Sequence, residues 1–388
     1  MEKKIKICAI TTISATMDSF MVDSMRVLAK NGYDVTLVCN MDEDFIARNS
    51  DFAKCIHVPM KRGVSFFDVF RSIKTLRKVF KKEQFDALYY ATPNAAMYAA
   101  VAGSQAKIKT RIYNQCGIRY VALTGWKRKL FKMIEKFTCK KSTHVRSVSP
   151  LNMQFAIDEG VCPKEKIAVI GIGGTTGVDL KACDAVDIEK SRKEIRERYQ
   201  IPQDAFVYGF VGRVNRDKGI NELVKAYFLV QQEDKNAYLM LIGDKEESNP
   251  VLPETEMRIR EDEKIVATGN VPGDEVYTYM SAFDVLVHPT YREGYGKVLQ
   301  EAMGMRLPII TTDVIGPKEV VENGEYGMLV PVKDAESLAT AMQMMANDEE
   351  LRKTLAQKGR ARAEKYYDRP IMTGNVLREI NAILGINK

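Results

Sequence analysis

Along the whole chain, short apolar runs rich in β-branched residues alternate with longer segments of helical periodicity. In the first half, residues 5–10, 35–39, 87–90, 111–113, 145–148 and 167–170 read as strands. Strands separated by helices predict parallel pairing through crossover connections. The second half repeats the scheme at 206–211, 238–242, 264–267, 285–287, 309–311 and 328–330. Two doubly wound α/β domains are therefore expected, and a crevice between two such domains is a natural binding place. Gly171, Gly173, Gly174 and Gly177 make the connection glycine-rich, and the charged stretch 187–198 predicts a helix opening the second domain. The boundary is expected near residue 180. Beyond Pro331, the spacing of Ala335, Leu338, Ala339 and Met342, and then of Leu351 and Leu355, predicts helices.

No apolar stretch reaches the roughly 18 residues of a membrane-spanning helix. The nearest, 89–102, is interrupted by Pro93 and Asn94, and its small residues read as a buried helix. Residues 1–17 imitate a secretory signal, but 5–10 is too short for its apolar core and reads better as a first strand. A cytoplasmic chain is expected. With 388 residues, 45% hydrophobic and 28% charged, the composition is that of a folded globular protein. The seven cysteines are odd in number, scattered and without a C-x-x-C pair, which argues against a disulfide framework or a zinc knuckle.

Charge separates the halves: by count, residues 1–180 carry net +13 and the remainder net −6. A basic half suits nucleic acid, an anionic membrane or a phosphorylated substrate. Nucleic acid is not expected, because the chain lacks interleaved aromatic and basic recognition patterns. In 66–82, Phe66, Val69, Ile73, Leu76 and Phe80 recur at helical spacing while Arg71, Lys74, Lys78, Lys81 and Lys82 fall on an adjoining arc. The helix is expected to bury its apolar face. Its lysines, with Trp126 and the basic residues 127–132, would attract anionic headgroups.

The candidate chemistry is concentrated in two segments. In the first, His288-Pro289-Thr290-Tyr291-Arg292-Glu293-Gly294-Tyr295-Gly296-Lys297-Val298 reads as a strand end, a turn and a helix start, with Glu301 two turns on. Gly294 and Gly296 allow a tight turn and a close approach to a ligand, and the amides at the helix start favour anionic or hydroxyl-rich groups. Carboxylates are good acceptors for sugar and ribose hydroxyls, and Glu293 and Glu301 can face one crevice at different depths. The second segment is Phe210-Val211-Gly212-Arg213-Val214-Asn215-Arg216-Asp217-Lys218-Gly219. It reads as a strand end with two cations, Arg213 and Lys218, converging on the sheet edge.

The Glu293–Glu301 spacing matches E-x7-E, and with E-G-Y-G it strongly resembles the retaining nucleotide-sugar glycosyltransferases of family four; the Gly212-Arg213…Lys218-Gly219 segment resembles that family's F-x-G-R…K-G signature. The resemblance implies the GT-B fold, two Rossmann-like domains facing across a cleft. Residues 1–180 would bind the acceptor, 181–365 the donor, and a terminal helix at 366–388 would cross back to the first domain. It assigns Arg213, Lys218 and Glu293 to catalysis, and Gly212, Gly294, Tyr295, Gly296, Lys297, Val298, Glu301, Asn270 and Val271 to the donor, with Glu319 near the ribose or phosphate. It further implies retaining transfer of a hexosyl or N-acetylhexosaminyl group from a UDP-sugar to a glycan or undecaprenyl-linked acceptor in bacterial surface polysaccharide synthesis. No metal or other cofactor is expected.

The resemblance is strong from about Phe206 to Val332 and thinner before it. Thr11 to Thr16 replace the Gly-Gly pair that many relatives have after the first strand, and Asn114-Gln115-Cys116-Gly117 stands where a histidine is expected. Those two assignments do not carry over. Of the three histidines, His57, His144 and His288, each reads as a core or supporting residue. Asp42-Glu43-Asp44 fits a metal-binding D-x-D pattern but is read as a solvated loop. Two alternatives stay open: a catalytically silent sugar-nucleotide scaffold, separable by assaying UDP release, and a sugar-nucleotide epimerase, which shares the architecture but not E-x7-E.

Overall fold

A computed structural model describes residues 4–60 and 66–386. The chain divides into two compact units, Met1–Thr176 with Pro370–Lys388, and Gly177–Arg369. The first holds a seven-stranded sheet ordered β3-β2-β1-β4-β5-β6-β7. Its strands are β1 (Lys6–Ile13), β2 (Asp34–Asn40), β3 (Lys54–His57), β4 (Ala87–Ala91), β5 (Thr110–Gln115), β6 (His144–Ser147) and β7 (Ile167–Val169). The second unit has a six-stranded sheet ordered β10-β9-β8-β11-β12-β13. These are β8 (Phe206–Val211), β9 (Ala237–Ile242), β10 (Ile265–Gly269), β11 (Val285–His288), β12 (Ile309–Thr312) and β13 (Met328–Val330). Every ladder between these strands is parallel. Each unit is thus a doubly wound, Rossmann-like α/β layer structure.

Helices cover both faces of such sheets, which is why the central strands are near-continuous apolar runs instead of alternating ones. All five residues of β4 and all four of β11 are buried. Side-chain caps start many helices: Asp187, Asp334 and Asp348 each accept a backbone N–H three residues on.

Several expectations need correction. β3 was not foreseen, because Lys54-Cys55-Ile56-His57 is a short, half-exposed edge strand with no apolar run. Residues 89–102 are not one helix: the first three finish β4, Thr92 turns the chain at φ +68°, and the helix Pro93–Gln105 follows. Proline suits a first helical turn, where its missing N–H is not needed. Of Asp42-Glu43-Asp44, exposed as expected, Glu43 and Asp44 lie in a helix and Asp42 stands outside it. Asp42 caps the helix Glu43–Asn49 by accepting Phe45 N–H at 2.7 Å, and that bond holds its carboxyl below the ordinary value.

The basic helix Phe66–Glu83 buries Leu76 and Phe80 as expected, yet Phe67 and Phe70 are exposed; the side chain of Phe66 lies outside the described residues. The helix Arg369–Leu384 contributes Val376 and Ile380 to the core of the first unit, beside Ile7, Ala9 and Ile112. There Asn381 accepts the Tyr33 hydroxyl at 2.6 Å, and Glu379 forms an ion pair with Arg146 of β6. Among the described residues no helix is long and apolar enough to cross a membrane.

Candidate active site

In the second unit the sheet grows from β8 through β9 and β10 in one direction and through β11, β12 and β13 in the other. Ligands of open α/β sheets bind at such a reversal, outside the carboxyl ends of the strands. The segments following β8 and β11 are the two motifs singled out above. Parallel pairing of Val285 with Tyr208 and of Leu286 with Gly209 sets them side by side.

Backbone geometry then brings them into contact. After β8 the chain makes a single 3-10 turn, Arg216–Lys218, capped by Asn215, whose side chain accepts Lys218 N–H at 2.9 Å. Gly219 follows at φ +71°, and a Cβ there would lie 2.0 Å from the Pro289 carbonyl oxygen. Only glycine lets the two loops approach so closely. Tyr291 N–H donates to the Asp217 carbonyl at 2.8 Å, and Arg292 forms an ion pair with the Asp217 carboxylate at 2.6 Å. Two hydroxyls of β12 support the loop from beneath: Thr311 donates to the His288 carbonyl at 2.9 Å and Thr312 to the Thr290 carbonyl at 2.5 Å.

The contact places the Lys218 ammonium on the Glu293 carboxylate. Glu293 Oε1 also accepts Gly294 N–H at 3.1 Å, and His288 Nε2 lies 3.6 Å from Oε2. Burial pushes the Glu293 carboxyl up, but Lys218 and His288 outweigh it and hold the group well below the usual carboxylate range. Lys218 is the cation of this trio, since burial pushes His288 below its ordinary value and keeps the ring neutral at neutral pH. The ring stacks on Phe210 of β8 at 5.5 Å. His288 is therefore a buried support under Glu293.

Arg213 does not touch Glu293. It pairs at 2.6 Å with Glu246, in the segment after β9, and Glu246 also accepts the Asn215 amide. A continuous polar chain, Arg213–Glu246–Asn215–Lys218–Glu293, thus connects both cations and one acid. Glu301 lies apart from that chain and pairs with Lys297 one turn before it at 3.4 Å.

The remaining candidate residues lie in the segments that follow β10, β11 and β12. Gly296, at φ +93°, precedes the helix Lys297–Gly304, so Lys297 and Val298 present first-turn amides that no helical carbonyl can accept. The Tyr295 ring is buried against Tyr367, and their hydroxyls are 3.0 Å apart. Asn270 and buried Val271 follow β10, where Asn270 N–H donates to Asp244 at 2.9 Å. Glu319 Oε2 accepts Gly316 N–H at 3.2 Å, at the start of the helix Pro317–Val320. The sequence reading missed Asn215, Asp217, Glu246 and the Thr311-Thr312 pair. Asn215 carried a signal, since Asn favours helix caps; Glu246 carried none.

Residues 191–362 match the family described as "Glycosyl transferases group 1", and residues 18–173 the "Glycosyl transferase 4-like domain". The chain thus carries a glycosyl transferase 4-like domain followed by a glycosyl transferases group 1 domain. The capsular polysaccharide biosynthesis glycosyltransferase CapM of Staphylococcus aureus is 28% identical to this glycosyltransferase over 371 residues, 95% of each chain. The UDP-Gal:alpha-D-GlcNAc-diphosphoundecaprenol alpha-1,3-galactosyltransferase of Escherichia coli is 22% identical over 338 residues, 85% of this chain and 84% of its own. Among solved structures, Anabaena HepE in complex with UDP-glucose superposes with a TM-score of 0.78 at 18% identity, covering 97% of this chain and all of its own. The shared architecture is the GT-B fold. The Lys218–Glu293 contact of this glycosyltransferase lies inside the group 1 match.

Proposed function

We propose that this chain is a retaining glycosyltransferase of bacterial surface polysaccharide synthesis, moving a hexosyl or N-acetylhexosaminyl group from a UDP-sugar to a glycan or undecaprenyl-linked acceptor. Residues 181–365 hold the donor and residues 1–180 present the acceptor. The observation that carries the reading is the Lys218–Glu293 pair at the sheet reversal, beside the first-turn amides of Lys297 and Val298. The names of the E. coli and Anabaena relatives support the donor class, and those of CapM and the E. coli enzyme support the acceptor class.

The chemistry follows from that charge pattern. As the anomeric C–O bond breaks, negative charge grows on the departing diphosphate, and Arg213, Lys218 and the helix amides stabilise it more as it develops. Glu293 holds Lys218 in place and offers its carboxylate to sugar hydroxyls. The acceptor hydroxyl attacks from the face the diphosphate leaves, and its proton passes to a phosphate oxygen, so configuration is retained without a separate protein base. The preplaced cations and amides supply the charge stabilisation for which no metal is invoked. Such an enzyme works in the cytoplasm, at the inner face of the membrane that carries its acceptor.

A thermal-shift screen of UDP-, GDP- and ADP-sugars, followed by UDP release with candidate acceptors and NMR of the new anomeric proton, tests the proposal. UDP-sugar stabilisation with acceptor-dependent, configuration-retaining turnover is expected. Stabilisation without turnover would favour the silent scaffold, and C2 inversion of the free sugar nucleotide would favour the epimerase.

A further inference from the structure

The first unit carries a surface that donor chemistry does not use. On the helix Gly125–Lys141, Trp126, Leu130, Met133 and Phe137 lie at spacings of four, three and four residues, which is a single helical face. All four are exposed, Trp126 at 69% and Met133 at 62%. The helix buries Glu135, Thr138 and Cys139 instead. An ordinary amphipathic helix would turn its apolar stripe inward.

Cations flank the stripe. Lys127, Lys129, Lys136 and Lys140 are exposed, while Glu135, the sole acid of the helix, is buried and accepts from Tyr113 and Gln115. The helix Phe66–Glu83 repeats the combination, with Phe67 85% and Phe70 59% exposed and Arg71, Lys74 and Lys78 exposed after them. Both helices pack on Pro93–Gln105, and Val69 of one lines the same pocket as Phe131 and Ile134 of the other. The two patches therefore adjoin.

We propose that this face docks on an anionic lipid bilayer, with the Trp126–Phe137 stripe seated at headgroup level and the lysines on lipid phosphates. Large apolar side chains rimmed by cations match a charged bilayer interface in both chemistries. A second copy of the chain would instead set one basic face against another. The inference deepens the lipid-linked acceptor reading above and rests on it for biological meaning, but its test does not pass through donor chemistry.

Trp126 is the chain's single tryptophan, so its fluorescence reports on this face directly. With the full chain, the emission is expected to shift to the blue on mixed phosphatidylglycerol–phosphatidylcholine vesicles and to be quenched by brominated acyl chains, with no shift on pure phosphatidylcholine. Added salt should weaken the association. The M133S/F137S variant and the K127E/K129E/K136E variant should each lower partitioning by about tenfold or more. Because all these positions are exposed, thermal unfolding and UDP binding should be unchanged. No shift on anionic vesicles, an equal shift on neutral ones, or full partitioning by the charge-reversed variant would overturn the proposal. So would a dimer, seen by light scattering, that M133S/F137S dissociates. Intact vesicle binding with no UDP binding would leave this proposal standing and remove the glycosyltransferase reading instead.

Discussion

Replacing Lys218 with methionine keeps the apolar stem and removes the ammonium from Glu293, leaving a carboxylate whose other near neighbour is neutral His288. Two unit charges near contact attract by about 4 kcal/mol at an effective dielectric constant of about 20. Fully exposed pairs contribute only about 0–1 kcal/mol, whereas stripping the partner from a buried charge costs about 3–5 kcal/mol. The Lys218 and Glu293 side chains are 15% and 25% exposed, which lies between these limits. A loss of about 2 kcal/mol is expected at pH 7. In a unit of this size that lowers Tm by about 4–8 °C.

The dependence on pH has a definite sign. The folded Glu293 carboxyl titrates below the unfolded value of about 4.3, so its stabilisation is fully present above that value and is lost as pH falls through the folded one. Lys218→Met should therefore converge on the wild type only in acid. Adding Glu293→Gln should restore part of the stability, because no uncompensated carboxylate remains, but none of the turnover. UDP release should fall about 10²–10³-fold in both variants. Circular dichroism melts between neutral and acidic pH, alongside the turnover assay, read both effects. A double variant no more stable than Lys218→Met would refute the electrostatic account, and retained turnover would take Lys218 off the diphosphate.

Gly219→Ala should cost at least about 2 kcal/mol, because its Cβ would lie 2.0 Å from the Pro289 carbonyl oxygen at φ +71°. An unchanged denaturant midpoint would show that the two loops do not approach as described. Burial pushes the Glu135 carboxyl up despite the hydrogen bonds from Gln115 and Tyr113, so its contribution to wild-type stability should fall as pH rises from about 4.3 through the folded value. Glu135→Gln should remove that contribution, and a stability gap between the two proteins that did not change with pH would count against a raised Glu135 carboxyl. Arg146→Met strands Glu379, itself raised by burial, at an expected cost of about 3 kcal/mol. Adding Glu379→Gln should recover most of this, and amide exchange in the helix Arg369–Leu384 should report the change; protection equal to the wild type in Arg146→Met would refute the pair's role.

Buried parallel strands are legible because both of their faces must be apolar, as β4 and β11 illustrate. β3 was illegible because an edge strand that stays half-exposed needs no apolar run. The glycines and charges of the two site motifs could likewise be read from local turn and helix-start chemistry. Their meeting could not. Lys218 and Glu293 are 75 residues apart, and they touch because β8 and β11 are neighbours at the reversal of the sheet. The E-x7-E spacing set its two acids at different depths of one crevice, but their partners, Lys218 for Glu293 and Lys297 for Glu301, came from packing.

The Trp126–Phe137 stripe shows the same division. Periodicity marks four apolar residues as one helical face, but the pattern is identical whether that face is buried or wet. Which face turns inward is decided by the partners available in three dimensions. Here Phe131 and Cys139 pack inward with Glu135, which Tyr113 and Gln115 of β5 hold, and the Trp126–Phe137 stripe is left outward.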